Sequence, residues 1–276
     1  MDAALKVISF NLKRDSFFHR KNSWQNRKYL ASQVIQKSGA DIIGVQELMP
    51  AMRDDILKLL RGYSIFGLGR SRHLQNEQSS IIFRNQETDI CFWKTFWLSK
   101  NPEKQGSRAY FSFFPRICTV GEVYVKHLNS RIRIFNTHFD HICGPARRLG
   151  VQIILDYMHQ LNQKEKLPTI LMGDLNAKPN SKPIRVLSEN LHHYSDIHLT
   201  NVYDCMDSDK IRNTYHGFKG KQKSKPIDYI FLSEEFEVSD VTIDSSCING
   251  CYPSDHFPLI ATLRLKKHNI KEKDRY

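Results

Sequence analysis

The sequence has no long apolar run and no recognisable targeting segment. A membrane-spanning helix needs about 20 consecutive, predominantly apolar residues, and no stretch reaches that length. The residues that follow Met1 also lack the basic and apolar segments of a secretory signal. These absences predict a soluble, cytoplasmic protein with no stable membrane insertion.

Linkers rich in proline, glycine and serine are also absent, as are internal repeats and low-complexity stretches. A chain of 276 residues exceeds the commonest domain size, but sandwiches and barrels often reach that length as one unit. We therefore expect one domain over residues 1–265, followed by a polar tail over residues 266–276.

Cysteine is sparse and irregularly spaced. The six cysteines do not form the two matched pairs of ligands that a structural zinc site requires. Several lie in apolar or mixed stretches, where cysteine acts as a small hydrophobic side chain. We expect reduced structural thiols rather than a disulfide framework. The cysteines are Cys91, Cys118, Cys143, Cys205, Cys247 and Cys251.

Positive charge is abundant. Basic residues outnumber acidic ones by 41 to 29, which gives a formal net charge of +12. Such a field attracts nucleic acids, anionic head groups and phosphorylated small molecules. The charge does not choose among these partners, and a generally cationic soluble protein is the competing interpretation.

Short apolar runs typical of strands recur along the chain. Helical segments fall between some of them, and because strands outnumber helices, two packed sheets with helices outside fit better than a repeated βαβ unit. The predicted strands are Leu5–Phe10, Asp41–Val45, Ser80–Phe83, Thr119–Val125, Arg131–Asn136, Thr169–Met172, Ile227–Leu232 and Leu259–Leu265. The predicted helices are Trp24–Lys37, capped by Ser23 and stopped at Gly39, a second from Pro50 to the stop at Gly62, Ala146–Leu161 and Pro183–Leu191.

Polar residues stand where these strands end or begin. Four predicted strands run directly into polar residues, and two later strands are opened by them. A mixed sheet brings the ends of some strands beside the starts of others, so these groups can converge on one edge. Alternation places His138 with Asp140, and Asp174 with Asn176, on a shared face. The six groups are Asn11, Glu47, His138 with Asp140 and His141, Asp174 with Asn176, Asp228, and Asp255 with His256.

Carboxylates, amides and imidazoles at one edge suit a phosphoesterase that uses a hard cation. Magnesium prefers one or two carboxylates together with water and phosphate oxygens, which leaves the other groups for acid and base chemistry. We therefore expect Mg²⁺ as the cofactor, with Mn²⁺ as the alternative, and a phosphate ester as the substrate.

The same residues, in the same order, resemble the motif set of the endonuclease/exonuclease/phosphatase superfamily. Each motif alone has a plain structural explanation, such as a turn at Asn11, but six in order favour the functional one. The motifs are Asn11, Gln46-Glu47, Asn136-Thr137-His138, Gly173 to Asn176, Ile227-Asp228 and Ser254-Asp255-His256.

A finer resemblance is to a bacterial branch of uncharacterised metal-dependent hydrolases near the CCR4-like group. It is carried by residues 22–28, 137–141, 146–148 and 215–218. The resemblance implies a DNase I-like α/β (α+β) fold, which is a four-layer sandwich of two packed mixed β-sheets flanked by α-helices.

The resemblance also implies a role for each residue. Glu47 would be the principal metal ligand, with Asn11 close to the metal or the phosphate and Asp255 helping to bind the metal. Phosphate esters carry negative charge that repels hydroxide, so a cation and a positioned water are both needed.

The remaining motif residues would act on the water and the phosphate. Asp174 would orient or deprotonate the attacking water, and Asn176 would hold the phosphate. Asp228 would orient His256, which would stabilise charge on the phosphoryl oxygens. His138 would contact the phosphate or protonate the leaving group.

Weaker candidates for substrate binding are Glu77, Asp140, His141, Arg148 and His216. Glu77 is placed like the acidic partner of the first motif histidine in DNase-like members. Each of the other four has a structural alternative. Asp140 and His141 could be a surface pair, Arg148 could lie on a solvated helix face, and His216 could be an ordinary loop histidine. A cationic loop precedes Asp228 and is either a phosphate-binding rim or a solvated loop. Its lysines are Lys219, Lys221, Lys223 and Lys225.

The leading functional hypothesis is a nuclease, because the positive charge favours nucleic acid. A phosphatase or phosphodiesterase acting on phosphoinositides, lipid head groups or small phosphorylated molecules is the alternative enzyme. A non-catalytic scaffold that binds nucleic acid is the alternative outside enzymes, and it predicts erosion of the catalytic residues. All of them are present, which disfavours it.

Overall fold

The computed structural model describes residues 3–15, 21–222 and 224–266, and within them the chain forms two six-stranded mixed sheets and four α-helices. In spatial order, the first sheet comprises β11 (Phe236–Ile243), β12 (Leu259–Leu265), β1 (Leu5–Asn11), β2 (Ile42–Leu48), β4 (Gln78–Arg84) and β3 (Tyr63–Phe66). The second comprises β5 (Thr88–Trp97), β6 (Ile117–Val125), β7 (Ser130–His138), β8 (Thr169–Asp174), β10 (Asp228–Ser233) and β9 (Leu199–Asn201).

Each sheet has one parallel pair at its centre, β1 with β2 and β7 with β8, and the flanking pairs are antiparallel. Helix α1 (Trp24–Ser38) connects the first parallel pair, and α3 (Gly144–Asn162) connects the second. Because parallel strands finish at the same edge of a sheet, the carboxyl ends of four strands lie together at one end of the sandwich.

Side chains alternate between the two faces of the central strands, so these strands contribute to two separate hydrophobic cores. In β1, Leu5 and Val7 belong to the core between the sheets, whereas Ile8 and Phe10 pack with α1 and with α2 (Pro50–Leu59). Helices α3 and α4 (Lys182–Ser188) contribute buried residues to the core of the second sheet. The result is the expected four-layer arrangement, and the predicted fold class is confirmed.

Asn136 joins the two sheets. Its Nδ2 donates to the Val45 and Ser80 carbonyls at 2.9 and 2.8 Å, and its Oδ1 accepts from Gln46 Nε2 at 2.7 Å. Gly44 leaves the room for this contact, because a Cβ there would lie 2.5 Å from the sulfur of Met172. The sheets are therefore fixed to each other by buried polar groups close to the edge where the motif residues lie.

The predicted strands and helices are all present, with small shifts at their ends. The sequence pattern does not indicate β3, β5, β9 and β11, which are short or lie at the margins of their sheets. The helix α1 stop is confirmed, since Gly39 adopts the left-handed conformation at φ 65°. The predicted Ser23 cap is only partly right, because Ser23 precedes α1 but its side chain makes no capping hydrogen bond.

The cysteines are free, as expected, but the small-hydrophobe interpretation holds only for the buried Cys118. Four others, Cys91, Cys205, Cys247 and Cys251, are exposed. None of the described helices is long and apolar enough to cross a membrane. Of the expected polar tail, residues 267–276 lie outside the described residues.

Candidate active site

The strand register brings the motif residues together. His138 at the end of β7 pairs with Asp174 at the end of β8, and Asp228 at the start of antiparallel β10 pairs with Asp174 from the other side. Asn11 at the end of β1 reaches across from the first sheet and donates to Asp174 Oδ2 at 3.0 Å. Of these side chains, those of His138 and Asp174 line a cavity of about 360 Å³.

Glu47 points into the cavity because β2 is irregular at this point. The register with β4 shifts between Val45 and Leu48, and Glu47 itself has φ 57°. Its carboxylate accepts from the Arg14 backbone N–H at 2.9 Å and from Asn11 Nδ2 at 3.2 Å. Burial alone would raise the pKa of Glu47, but the Lys13 ammonium and these donors outweigh it, so the pKa is lowered. Glu47 is thus held as an anion.

Asp174 is almost fully buried between the other motif residues. Its Oδ1 accepts from the Asn176 backbone N–H at 2.9 Å, and its Oδ2 lies 3.4 Å from His138 Nε2. Burial and the negative charge of Asp228 raise the pKa of Asp174 to about 7, against the opposing effect of His256. A carboxylate with a pKa near neutrality is suited to taking a proton from water.

Asp228 and His256 form a buried pair. Asp228 Oδ2 lies 2.8 Å from His256 Nδ1, and His256 Nε2 lies 3.7 Å from Asp174 Oδ2. Burial alone would lower the pKa of His256, but the charges of Asp228, Asp174 and Asp255 raise it to about 10. The ring is therefore a charged imidazolium whose orientation the contact with Asp228 fixes.

Asp255 is the fourth carboxylate of the site, after Glu47, Asp174 and Asp228. It is buried, and its Oδ2 forms an ion pair with Lys13 Nζ at 3.1 Å. We call Glu47, Asp174 and Asp255, with Asp228 behind them, the acidic wall. Its four carboxylates exceed its two cations, Lys13 and His256, which leaves a formal excess of negative charge.

His138 and Asn176 lie beside the acidic wall. Burial, with the charges of Arg116 and Arg70, lowers the pKa of His138 well below its usual range, so the ring is neutral. Asn176 has φ 46° and donates through Nδ2 to the Phe139 carbonyl at 3.0 Å. Both residues line the cavity.

Three arginines line the cavity as well. Glu77 Oε1 binds Arg70 at 2.7 Å and Arg14 at 3.1 Å, and Arg116 donates to His141 Nδ1 at 3.1 Å. We call Arg14, Arg70 and Arg116, with Glu77, the basic wall. It carries a formal excess of positive charge.

The acidic wall fits a hard divalent cation, because carboxylate and amide oxygens are the ligands that such ions prefer. Glu47 and Asp255 offer anionic oxygens beside Asp174. Asp174, Asp228 and His256 also offer three ligand atoms within 4.8 Å of one another. The second group is the poorer ligand set, since His256 would have to lose a strongly held proton.

Asn11 has a defined place in this arrangement. Its amide NH₂ joins Glu47 to Asp174, while its Oδ1 accepts from the Lys13 backbone N–H at 2.9 Å. In this orientation Asn11 spaces the two carboxylates. A ligand role for Asn11 requires the amide to turn Oδ1 toward the cation.

Only some of the weaker candidates line the cavity. His141 lines the cavity, and so does Glu77, but Glu77 pairs with arginines and forms no hydrogen bond with His138 within the described chain. Asp140 Oδ1 instead accepts from the Ile142 and Cys143 backbone N–H groups ahead of α3. The predicted strand alternation, which placed Asp140 on the same face as His138, does not extend to Asp140, because strand β7 ends at His138.

The other two weak candidates do not line the cavity. His216 is buried, stacks on Phe257 at 3.9 Å between ring centroids and accepts from the Gly220 N–H. Arg148 is exposed on α3. The described lysines of the cationic loop, Lys219, Lys221 and Lys225, are exposed and do not line the cavity, and Lys223 lies outside the described residues.

Several lining residues escape sequence reasoning. Lys13 and Arg14 follow the Asn11 motif directly, which is a usable signal, and Tyr215 belongs to a segment with a noted resemblance. Arg70 and Arg116 lie in loops, where a lone arginine gives no signal. Phe114 belongs to the aromatic cluster Phe111–Phe114, for which the sequence leaves base stacking and core packing open.

Comparison with known proteins agrees with this fold. A model of the Endonuclease/Exonuclease/phosphatase family matches residues 8–256. A structure of an endonuclease/exonuclease/phosphatase family protein from Bacteroides thetaiotaomicron is 27% identical, with TM-score 0.86, and the match covers 97% of this chain and 100% of that one. A mannosyl-6-phosphatase from the same organism is 28% identical, with TM-score 0.84, over 94% of this chain and 99% of that one.

A curated relative, the uncharacterised protein L388 of Acanthamoeba polyphaga mimivirus, is 25% identical over 93% of this chain and 98% of its own length. The family match spans every residue that lines the cavity. Members of this family are hydrolases that act on phosphate esters. This chain belongs to the endonuclease/exonuclease/phosphatase family.

Proposed function

We propose that this protein is a phosphatase that hydrolyses phosphate esters of small molecules, with Mg²⁺ or Mn²⁺ as cofactor. The observation that carries the proposal is one cavity of about 360 Å³ bordered by both the acidic wall and the basic wall. A cavity of this size is typical of small-molecule sites, and its two walls suit a cation and a phosphate.

The chain's own residues account for the attack. Asp174 takes a proton from water while the water oxygen bonds to phosphorus and the bond from phosphorus to the leaving oxygen breaks. Asn11 Nδ2 and the Asn176 N–H hold the Asp174 carboxylate in place. A divalent cation at Glu47 and Asp255, when bound, supplies positive charge that offsets the charge of the phosphoryl oxygens.

Two histidines contact the phosphoryl group in this proposal. His256, charged and oriented by Asp228, stabilises negative charge that develops on the oxygens. His138 is neutral, so we assign it a hydrogen bond to a phosphoryl oxygen rather than proton donation to the leaving group. A solvent water then protonates the leaving oxygen, and the hydroxide that remains takes the proton from Asp174.

A small substrate is favoured over nucleic acid by two observations. The exposed lysines of the cationic loop do not border the cavity, so they offer no continuous track for a phosphate backbone. A mannosyl-6-phosphatase is among the similar structures, at 28% identity over 94% of this chain.

A nuclease is the second candidate, and it has its own support. The net charge of +12 favours a polyanion. Phe111 and Phe113 are 89% and 68% exposed, near Phe114 at the cavity, where rings can stack on unpaired bases.

The test is hydrolysis of a substrate panel with Mg²⁺, Mn²⁺ or EDTA. The panel contains hexose 6-phosphates, inositol phosphates, single- and double-stranded DNA, and RNA. We expect metal-dependent phosphate release from a small ester. Cleavage of nucleic acid alone would instead establish the nuclease, and salt-sensitive nucleic-acid binding without any cleavage would establish the non-catalytic scaffold.

A further inference from the structure

Arg116 has an unusual environment for an arginine. Arg116 is only 7% exposed, yet it forms no ion pair with any carboxylate in the described parts of the chain. Its Nη2 donates to His141 Nδ1, and its buried Nε has no hydrogen-bond partner. A buried guanidinium without an anion is costly, so such a group marks a place where an anion binds.

The nearest carboxylates have other partners. Glu77 is bound by Arg70 and Arg14. Asp140 is close enough for Arg116 to help lower its pKa, although burial opposes this and backbone N–H groups bind its carboxylate. The charge of Arg116 is therefore available to a ligand.

His141 supplies a second donor at the same place. A guanidinium can only donate hydrogen bonds, so His141 Nδ1 must be the acceptor. The proton of the neutral ring is then on Nε2. Burial and the neighbouring Arg116 lower the pKa of His141, which favours this neutral form.

Phe114 adds an apolar surface to the same part of the cavity. Its ring lies over the Arg70 guanidinium, with 4.7 Å between the Arg70 Cζ and the ring centroid, and it is 41% exposed. An apolar ring beside two donors suits an anionic group carried on a carbon skeleton, such as a sugar.

This group of residues is separate from the reacting centre but shares its cavity. His138 borders both, since its Nε2 is 3.4 Å from Asp174 Oδ2 and it lines the same cavity as Arg116 and His141. We propose that Arg116 and His141 form a subsite for a second phosphate group of the substrate, so that the enzyme prefers bisphosphorylated small molecules. This inference rests on the proposed phosphatase function for its catalytic consequence.

The first arm of the test measures binding without turnover. Inorganic phosphate is titrated by calorimetry into the full chain in EDTA, where the acidic wall has no cation to attract it. We expect Arg116→Met to weaken phosphate binding by about 10- to 100-fold, as loss of a charged hydrogen bond does. The exposed Arg61 lies outside the cavity, so Arg61→Met is the matched control and keeps wild-type binding.

The second arm measures selectivity. The ratio of kcat/KM for fructose 1,6-bisphosphate to that for fructose 6-phosphate is expected to fall about tenfold or more in Arg116→Met and to be unchanged in Arg61→Met. An equal loss on both substrates would overturn the proposal, because Arg116 would then bind the reacting phosphate. In the first arm, phosphate binding by Arg116→Met as tight as that of the wild type would also overturn the proposal. The first arm decides this even if no panel substrate is hydrolysed.

Discussion

The two walls of the cavity are built in different ways. Three carboxylates of the acidic wall, Glu47, Asp174 and Asp228, stand at strand ends of the two sheets, and the fourth lies in the loop before β12. They are held by neighbours such as Asn11, Lys13 and His256. The basic wall comes from loops, since Arg70 lies between β3 and β4 and Arg116 immediately precedes β6. Strand ends fix the chemistry by register, whereas loops can change the substrate without moving the reacting groups.

The two walls also differ in the sign of their net formal charge. Within the acidic wall, Lys13 and His256 partly neutralise four carboxylates, and a divalent cation would offset the remainder. Within the basic wall, Glu77 binds two arginines and leaves Arg116 without an anion. One wall therefore suits a cofactor and the other suits a substrate.

The largest effect is expected from the acidic wall. Asp174→Asn is expected to lower kcat about 10²- to 10⁴-fold, because an amide cannot accept the proton of the attacking water. Phosphate release at saturating substrate measures this. Asp209→Asn, at an exposed position, is the control. A kcat within tenfold of wild type, with circular dichroism unchanged, would remove Asp174 from the mechanism.

Glu47→Gln separates cofactor binding from substrate binding. Loss of the anionic ligand is expected to raise the Mg²⁺ concentration for half-maximal activity by about 10- to 100-fold, with partial recovery at high Mg²⁺. Metal titrations of turnover provide the measurement, with Glu237→Gln at an exposed position as the control. An unchanged Mg²⁺ requirement would place the cation elsewhere.

Asn136→Ala is expected to affect both walls alike and to have the smallest effect on turnover. It leaves the Val45 and Ser80 carbonyls without a buried donor, so unfolding in urea should show a loss of about 1–3 kcal/mol. The exposed Asn85 supplies the control Asn85→Ala. Equal stability of the two variants would mean that Asn136 does not hold the sheets together.

The acidic wall and the central strands follow from the sequence because their signals are local. Apolar runs that stop at Asn11, Glu47 and Asp174 indicate both a buried strand and the polar residue at its end. The order of these motifs is what the family shares, so register and chemistry are predictable together.

The basic wall does not follow from the sequence, for a physical reason. A loop arginine is usually solvated, and only the fold shows that Arg116 is buried beside His141. His216 is the opposite case, because its stacking on Phe257 gives it a structural role, and its part in substrate binding stays a prediction. The strand β5 is also missed, since residues 89–93 are exposed and lack the usual alternation.

The hydrogen bonds that join Asn136 to the first sheet also bear on how the chain acquires its activity. Asn11 and Glu47 belong to one sheet, whereas Asp174 and Asp228 belong to the other. A refolding chain with either sheet formed, but the two not yet docked, has half of the acidic wall and no catalytic centre. The recovery of turnover after dilution from denaturant therefore reports the docking step, and recovery of β-sheet circular dichroism can precede it.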